Sequence, residues 1–268
     1  QRDVSLRINR VDNKEEWIVS GRGELHLSIL IENLRREGFE FQVSRPRVIL
    51  KEIDGVINEP YEYVQVDVPD EYIGSAIEMF GNRRGNLEGM NSKDGQTRLI
   101  YTIPSKGLIG FMTDFLTATH GYGIINHTFL EYRPVQPDVF MGRKLGVLVS
   151  INQGMATTYA CGGVEDRGEL LIEPGIMVYE GMIVGICNRE EDLAVNITRE
   201  KQMTNQRSAT KDSTTVLKKP RVFSLENYLS FIDEDELVEV TPNSIRLRKM
   251  ILDTVERKKY DSTKLKKH

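Results

Sequence analysis

Between positions 197 and 221 the sequence reads ITREKQMTNQRSATKDSTTVLKKPR. Seven of these 25 residues are cationic (Arg199, Lys201, Arg207, Lys211, Lys218, Lys219 and Arg221) and two, Glu200 and Asp212, are anionic. Thr, Ser, Asn and Gln fill most of the space between them. A run of this composition has too little apolar surface to offset the entropy lost on ordering it. It therefore predicts a long polar loop standing off a core, and its charges suit electrostatic contact with a polyphosphate backbone. A solvated surface loop has the same composition.

Other residue sets fit chemistry poorly. No GxxxxGK[ST] phosphate loop is present, and Gly21, Arg22 and Gly23 are followed by Glu24, which suits a helix N-terminus but repels phosphate. His26 has no second ligand at helical spacing, and His120 and His127 lie seven apart with no acidic or Cys partner in a metal pattern. Cys161 precedes two glycines, but the sequence names no base to activate it, so it reads as a small buried residue. The acidic runs 190–192 and 233–236 read as solvated loop charges. The sequence thus names no catalytic residue and no metal or cofactor ligand. Further cations form a second rank: Arg83 and Arg84 at a helix end, Lys106 at a helix start, Arg246, Arg248 and Lys249 on the expected last helix, and the run 257–259. With the loop they would make a broken track that reads phosphate and shape, not base sequence. Aromatic residues for base stacking are absent from the loop itself.

The elements that must carry this loop read as α+β. Val4, Leu6 and Ile8 alternate in a first strand, a return strand starts at Trp17, and Leu27, Leu30, Ile31 and Leu34 form one helical stripe ending at Gly38. A strand over 39–43 follows. Strand, strand, helix, strand is an α/β sandwich short of one strand and one helix, so the chain reads as cut at its N-terminus. The next module runs strand (Val64, Val66, Val68), helix (Ile73, Ala76, Ile77, Phe80), a strand pair turning at Lys93, Asp94 and Gly95, a helix (Leu108, Phe111, Met112, Phe115), and a strand over 123–133. This is the ferredoxin-like βαββαβ order. The two modules echo each other in a Gly-rich turn, an amphipathic helix and a strand.

Pro134 to Pro137 reads as a linker. Beyond it strands are expected over 145–151, 156–160, 164–171, 177–187 and 193–197, then the basic loop. Ser224 should cap a short helix, 237–240 is strand-like, and Thr241 with Pro242 reads as the start of a final helix to about 258. The expected division is 1–55, 56–134 and 135–268: two ferredoxin-like sandwiches, the first incomplete, then a β-rich domain with the long loop and a terminal helix.

With 39% apolar and 28% charged residues the composition is that of a soluble globular chain. No run approaches the roughly 18 apolar residues of a membrane span, and two cysteines without metal-ligand spacing suggest a reduced, cytoplasmic setting. The net charge of −4 hides an asymmetry. Residues 197–268 hold 16 Lys/Arg and 11 Asp/Glu, a balance of +5; from totals of 36 and 40, residues 1–196 keep 20 and 29, a balance of −9.

GRGELHLSILIENLRREGFEFQVSRPRVI resembles domain III of the elongation factor G relatives among translational GTPases, and PSKGLIGFMTDFLTATHGYG resembles their domain V. EDRGELLIEPGIMVYEGMIVG, DLAVNITREKQMTNQRSATKD and EDELVEVTPNSIRLRK are similar to the TypA/BipA family in particular. The LepA group also lacks domain IV, but its C-terminal module does not carry this DLAVN to VTPNSIRLRK run. The resemblance covers essentially the whole chain. It implies a C-terminal portion of a ribosome-associated factor acting in translation, ribosome assembly or stress adaptation. GTPase and β-barrel domains would lie ahead of residue 1, with GTP and Mg expected only there, so this portion would be no enzyme and hold no cofactor. It further implies contact of residues 199–221 with large-subunit rRNA and the acceptor end of A-site tRNA, led by Lys201, Arg207, Lys211 and Lys218. Arg83 and Arg84 would approach the GTPase-associated RNA. The implied protein is a cytoplasmic monomer without a membrane partner. Two alternatives stay open: a scaffold whose loop meets an acidic protein, and a LepA-like fragment.

Overall fold

A computed structural model describes residues 5–12, 14–136, 143–200 and 216–265. The chain divides into two compact units, 1–28 with 46–142, and 29–45 with 143–268. The boundary therefore falls inside the first helix, and residues 1–55 are shared between the two units. Among the described residues β1 (Arg7–Arg10) and β2 (Trp17–Ser20) pair with each other alone, as an antiparallel ribbon with both strands largely exposed. α1 (Glu24–Arg36) buries Ser28 and Ile31, while Leu27, Leu30 and Leu34 are half-buried. β3 (Phe41–Ser44) joins the sheet of the second unit. Two strands and a helix bury too little to hold a sandwich by themselves, whereas Phe41 and Val43 find apolar partners far along the chain, opposite Val240 and Val238.

The first unit contains the expected ferredoxin-like module. β4 (Lys51–Ile53) turns through Asp54 and Gly55, both at positive φ, into the long β5 (Val56–Pro69). There follow α2 (Ile73–Asn82), β6 (Asn86–Lys93), β7 (Gln96–Pro104), α3 (Ser105–Leu108), α4 (Phe111–Ala118) and β8 (Ile124–Pro134). The sheet order β8-β5-β7-β6 is antiparallel throughout, the arrangement βαββαβ predicts. The β6–β7 hairpin turns at Asp94 (φ 53°) and Gly95 (φ 80°), as a two-residue hairpin of this hand requires. Val64, Val66 and Val68 point to one face and meet Ala76, Phe80, Phe111 and Phe115 in a dry core. The single helix expected from the stripe Leu108, Phe111, Met112 and Phe115 is two: α3 ends at Leu108, and Gly110, at φ 69°, caps the start of α4. Pro134 and Val135 of the expected linker continue the first unit's sheet: Pro134 ends β8, and the Val135 N–H bonds the Ile57 carbonyl at 3.0 Å.

The second unit is built on a sheet ordered β14-β9-β13-β16-β15-β3, with β11 also on β13. Its elements are β9 (Val147–Ser150), β10 (Gly154–Met155), α5 (Thr158–Val164), β11 (Gly168–Leu170), β12 (Met177–Val178), β13 (Met182–Cys187), β14 (Leu193–Val195), α6 (Leu225–Phe231), β15 (Glu236–Val240), β16 (Ile245–Lys249) and α7 (Thr254–Leu265). Two expectations are corrected. Residues 158–164 are helical, because Thr157 caps them by accepting the Ala160 N–H at 3.1 Å. Residues 245–249 form a strand, so Arg246, Arg248 and Lys249 are not on the last helix; Thr241 and Pro242 belong to the β15–β16 turn, with Thr241 N–H on the Ser244 carbonyl. Ser224 does cap α6, in a reciprocal box with Asn227. Two apolar clusters fill the unit, one around Leu148, Cys161, Val184 and Ile197, the other around Val147, Ile183, Leu229 and Leu247. Among the described residues no helix is long and apolar enough to cross a membrane.

Candidate nucleic-acid interface

The basic segment leaves the second unit from β14. Ile197 is fully buried, and its carbonyl accepts the Thr157 N–H at 3.1 Å. Asn196 Oδ1 then accepts both the N–H and the hydroxyl of Thr198, turning the chain outward. The Arg199 carbonyl accepts the Thr157 hydroxyl at 2.5 Å, while the Arg199 side chain is exposed. Thr157 thus caps α5 and ties down the start of the segment with one side chain. Thr157→Ala is expected to cost roughly 1 kcal/mol through the lost cap, read as a lower thermal midpoint.

The returning arm is anchored at the other end of α5 and on β11. Leu217 packs on the core around Cys161. The Lys218 N–H donates to Glu165 Oε1 at 2.7 Å and the Arg221 N–H to the Leu170 carbonyl at 3.0 Å. Glu165 follows α5, and Leu170 ends β11. Arg221 lies 3.5 Å from the Glu169 carboxylate, both about half exposed, and over the Phe223 ring at 5.3 Å. An exposed pair of that length is worth little, so Arg221 remains a usable cation. Among the described residues Arg199, Lys218 and Lys219 are exposed with no carboxylate at ion-pair distance. The stem therefore presents four of the seven predicted cations at a fixed base. Lys201, Arg207 and Lys211 lie outside the described residues.

The second-rank cations fare differently. Arg83 faces inward: it donates to the carbonyls of Gly107 (3.4 Å) and Ile109 (3.0 Å), pairs with Asp114 at 3.4 Å and lies over Phe111. Its guanidinium ties the end of α2 to the turn between α3 and α4, which gives it a structural role. Arg84 is half-buried at φ 63°. Lys106 pairs with the buried Glu59 at 3.0 Å. Lys249 is buried among Asp192, Asp235 and Glu236, and Arg248 donates to the carbonyls of Lys249 and Met250. Among the described residues the loop stem and, on α7, Lys258 and Lys259 present exposed cations. Cys161 sits in the core, where burial pushes its thiol pKa up, away from thiolate chemistry.

The stem anchors Thr157, Glu165 and Leu170 were not legible as partners of the loop. The signal for Thr157 was its place as a threonine ahead of Ala160 and Cys161, a helix start that the short strand reading obscured.

The family described as elongation factor G C-terminus matches residues 56–142, and the family described as TypA/BipA C-terminal domain matches residues 145–254. Three curated relatives carry the name large ribosomal subunit assembly factor BipA. That of Bacillus subtilis (strain 168) is 58% identical over 260 residues, that of Synechocystis 50% over 249, and that of Haemophilus influenzae 49% over 262. These alignments take in 97%, 92% and 97% of this chain but 42% of each relative. The chain therefore spans about two-fifths of the length of the relatives it matches.

Proposed function

The chain belongs to the TypA/BipA family, and we propose that it supplies the part of such a protein that holds RNA of the large ribosomal subunit. The observation that carries this reading is the loop stem: a cation-rich, core-poor segment whose two ends are pinned to α5 and β11 while Arg199, Lys218 and Lys219 face solvent. The name borne by the relatives, a large-subunit assembly factor, agrees in its choice of particle. On this reading the role is positional. A rigid sheet holds a basic arm at a fixed place, and the arm meets rRNA and the acceptor end of an A-site tRNA through phosphate contacts. GTP and Mg2+ are handled outside these residues, and the chain works as a monomer in the cytoplasm.

Each phosphate neutralised releases counterions, so affinity should fall with salt at a slope set by the number of contacts. Co-sedimentation of the chain with purified large subunits across a salt series tests this. Changing Lys201, Arg207, Lys211 and Lys218 together to Glu is expected to weaken binding by roughly tenfold or more and to flatten the salt slope, with the circular dichroism spectrum unchanged. Equal affinity and slope for the variant would defeat the proposal. Binding that survives RNase but is lost with an acidic protein component would favour the scaffold reading instead.

A further inference from the structure

Glu165 is an anion in a place that otherwise collects cations. Its side chain lines a cleft of about 300 Å3 together with the exposed Lys218 and Lys219. A carboxylate beside two ammonium groups weakens their field toward phosphate. What the carboxylate holds is backbone: Oε1 accepts the Lys218 N–H at 2.7 Å. Its charge works against a phosphate there, while its acceptor oxygen fixes the arm that carries both lysines.

Thr157 is the counterpart at the other end of α5. Its N–H donates to the Ile197 carbonyl at 3.1 Å and its hydroxyl to the Arg199 carbonyl at 2.5 Å. The hydroxyl oxygen accepts the Ala160 N–H at 3.1 Å, and the Thr157 carbonyl accepts the Cys161 N–H at 2.9 Å. Two of its polar groups thus serve the departing arm and two serve the helix. Between the anchors α5 is seated by Ala160, Cys161 and Val164, all buried, with Leu217 of the returning arm packed on the same cluster. At about 1.5 Å per residue, the helix sets the two anchors roughly 12 Å apart along its axis. The ties fall on the backbone of Arg199 and of Lys218 themselves, so α5 fixes where these two cationic side chains begin.

Cations that must meet several phosphates at once bind more tightly when their spacing is set beforehand, because less ordering entropy is lost on contact. We propose that Thr157 and Glu165 are positioning residues for RNA, acting through α5 to fix the spacing between Arg199 on one arm and Lys218 with Lys219 on the other. The proposal rests on the RNA reading above and adds to it two residues whose part is to hold the arms and not to bind phosphate. It also reverses the sign that charge alone predicts. By charge, losing the Glu165 carboxylate strengthens phosphate binding; by position, losing its acceptor oxygen weakens it.

Two neutral replacements in the 268-residue chain separate these effects. Glu165→Gln loses the charge but keeps a side-chain oxygen for the Lys218 N–H, whereas Glu165→Ala loses both. In co-sedimentation with purified large subunits, Glu165→Gln is expected to bind at least as tightly as the unsubstituted chain, and Glu165→Ala roughly fivefold more weakly than Glu165→Gln. Hydrogen exchange at the Lys218 amide should be faster in Glu165→Ala than in Glu165→Gln. At the other anchor, Thr157→Val should weaken binding to a similar extent and Thr157→Ser, which keeps the hydroxyl, should restore it, a comparison that holds if Glu165→Ala folds poorly. Equal affinity of the Gln and Ala variants, or tighter binding by Ala, overturns the proposal and leaves RNA binding by the arm intact. If the unsubstituted chain does not bind large subunits, or binds them without dependence on salt, the RNA reading fails and the positioning role with it.

Discussion

Lys249→Met is expected to destabilise the second unit by about 3–5 kcal/mol, the penalty for leaving buried charge uncompensated. The ammonium of Lys249 sits almost fully buried on β16, 2.5 Å from Asp192, 2.8 Å from Asp235 and 2.9 Å from Glu236. Arg143 reaches the same Glu236 through both terminal nitrogens at 2.9 Å and covers the Phe231 ring at 4.5 Å. Three carboxylates are balanced there by two cations, in a place where Glu236 has no exposed surface. Methionine keeps the length of the lysine stem and returns nothing to the carboxylates. Changing Arg143 to Met, Glu236 to Leu and Lys249 to Met together should recover much of the loss, because it removes the buried charges on both sides and leaves Asp192 and Asp235, each partly exposed. An unchanged denaturation midpoint for the single variant would mean the cluster contributes nothing.

The same cluster sets an acid limit. Burial pushes the pKa of Glu236 up, but the hydrogen bonds from Arg143 and the charge of Lys249 more than reverse this and hold it at about 2, below its ordinary 4.5. Because the folded value is the lower one, the stabilisation is fully present above pH 4.5 and is lost as pH falls toward about 2. Burial also disfavours the charge on Lys249, yet its three carboxylates keep its pKa above the usual lysine range, so the pair stays ionised at neutral pH. Without Lys249, Glu236 keeps Arg143 and the Asp233 N–H but loses one of its two cations, and acid unfolding of this unit should begin at a higher pH.

How far the sequence speaks for this fold differs between its parts. Residues 56–134 are legible because the elements that build them carry local or periodic signals: the valine alternation of β5, the stripes ending at Phe80 and Phe115, and Asp94 with Gly95 at the hairpin. The β15–β16 hairpin is harder. Thr241 and Pro242 carry a helix-start pattern, yet Ile245, Leu247 and Lys249 alternate with Arg246 and Arg248 and find partners on both β15 and β13, so tertiary pairing overrides the local signal. The pairing of β3 with β15 joins residues nearly 200 positions apart and leaves no local trace. For the candidate interface, the excess of positive charge is written in the composition. Which cations stay at the surface is not, since Arg83 and Lys249 differ from Lys218 and Lys219 only in what the fold places beside them.

Phe80→Ala is expected to destabilise the first unit by about 3–5 kcal/mol, the range for removing a fully buried aromatic ring. Phe80 lies at the centre of an aromatic cluster, 4.3 Å from the Tyr101 ring, 4.5 Å from Phe111 and 6.1 Å from Phe115. All four side chains are essentially without exposure, so truncation opens a cavity that the sheet on one side and α4 on the other cannot easily fill. The strain also reaches the turn after α2. The Gly85 N–H donates to the Phe80 carbonyl at 2.7 Å, and a Cβ on Gly85 would stand 3.0 Å from that oxygen, so this close turn is fitted to the position of Phe80. Hydrogen exchange separates this effect from the previous one: protection should fall across β5, β7 and α4 in Phe80→Ala, and across β13, β15 and β16 in Lys249→Met. If both variants instead weakened every strand equally, the two apolar cores would be one cooperative unit, and the division of the chain at Arg143 would have no energetic meaning.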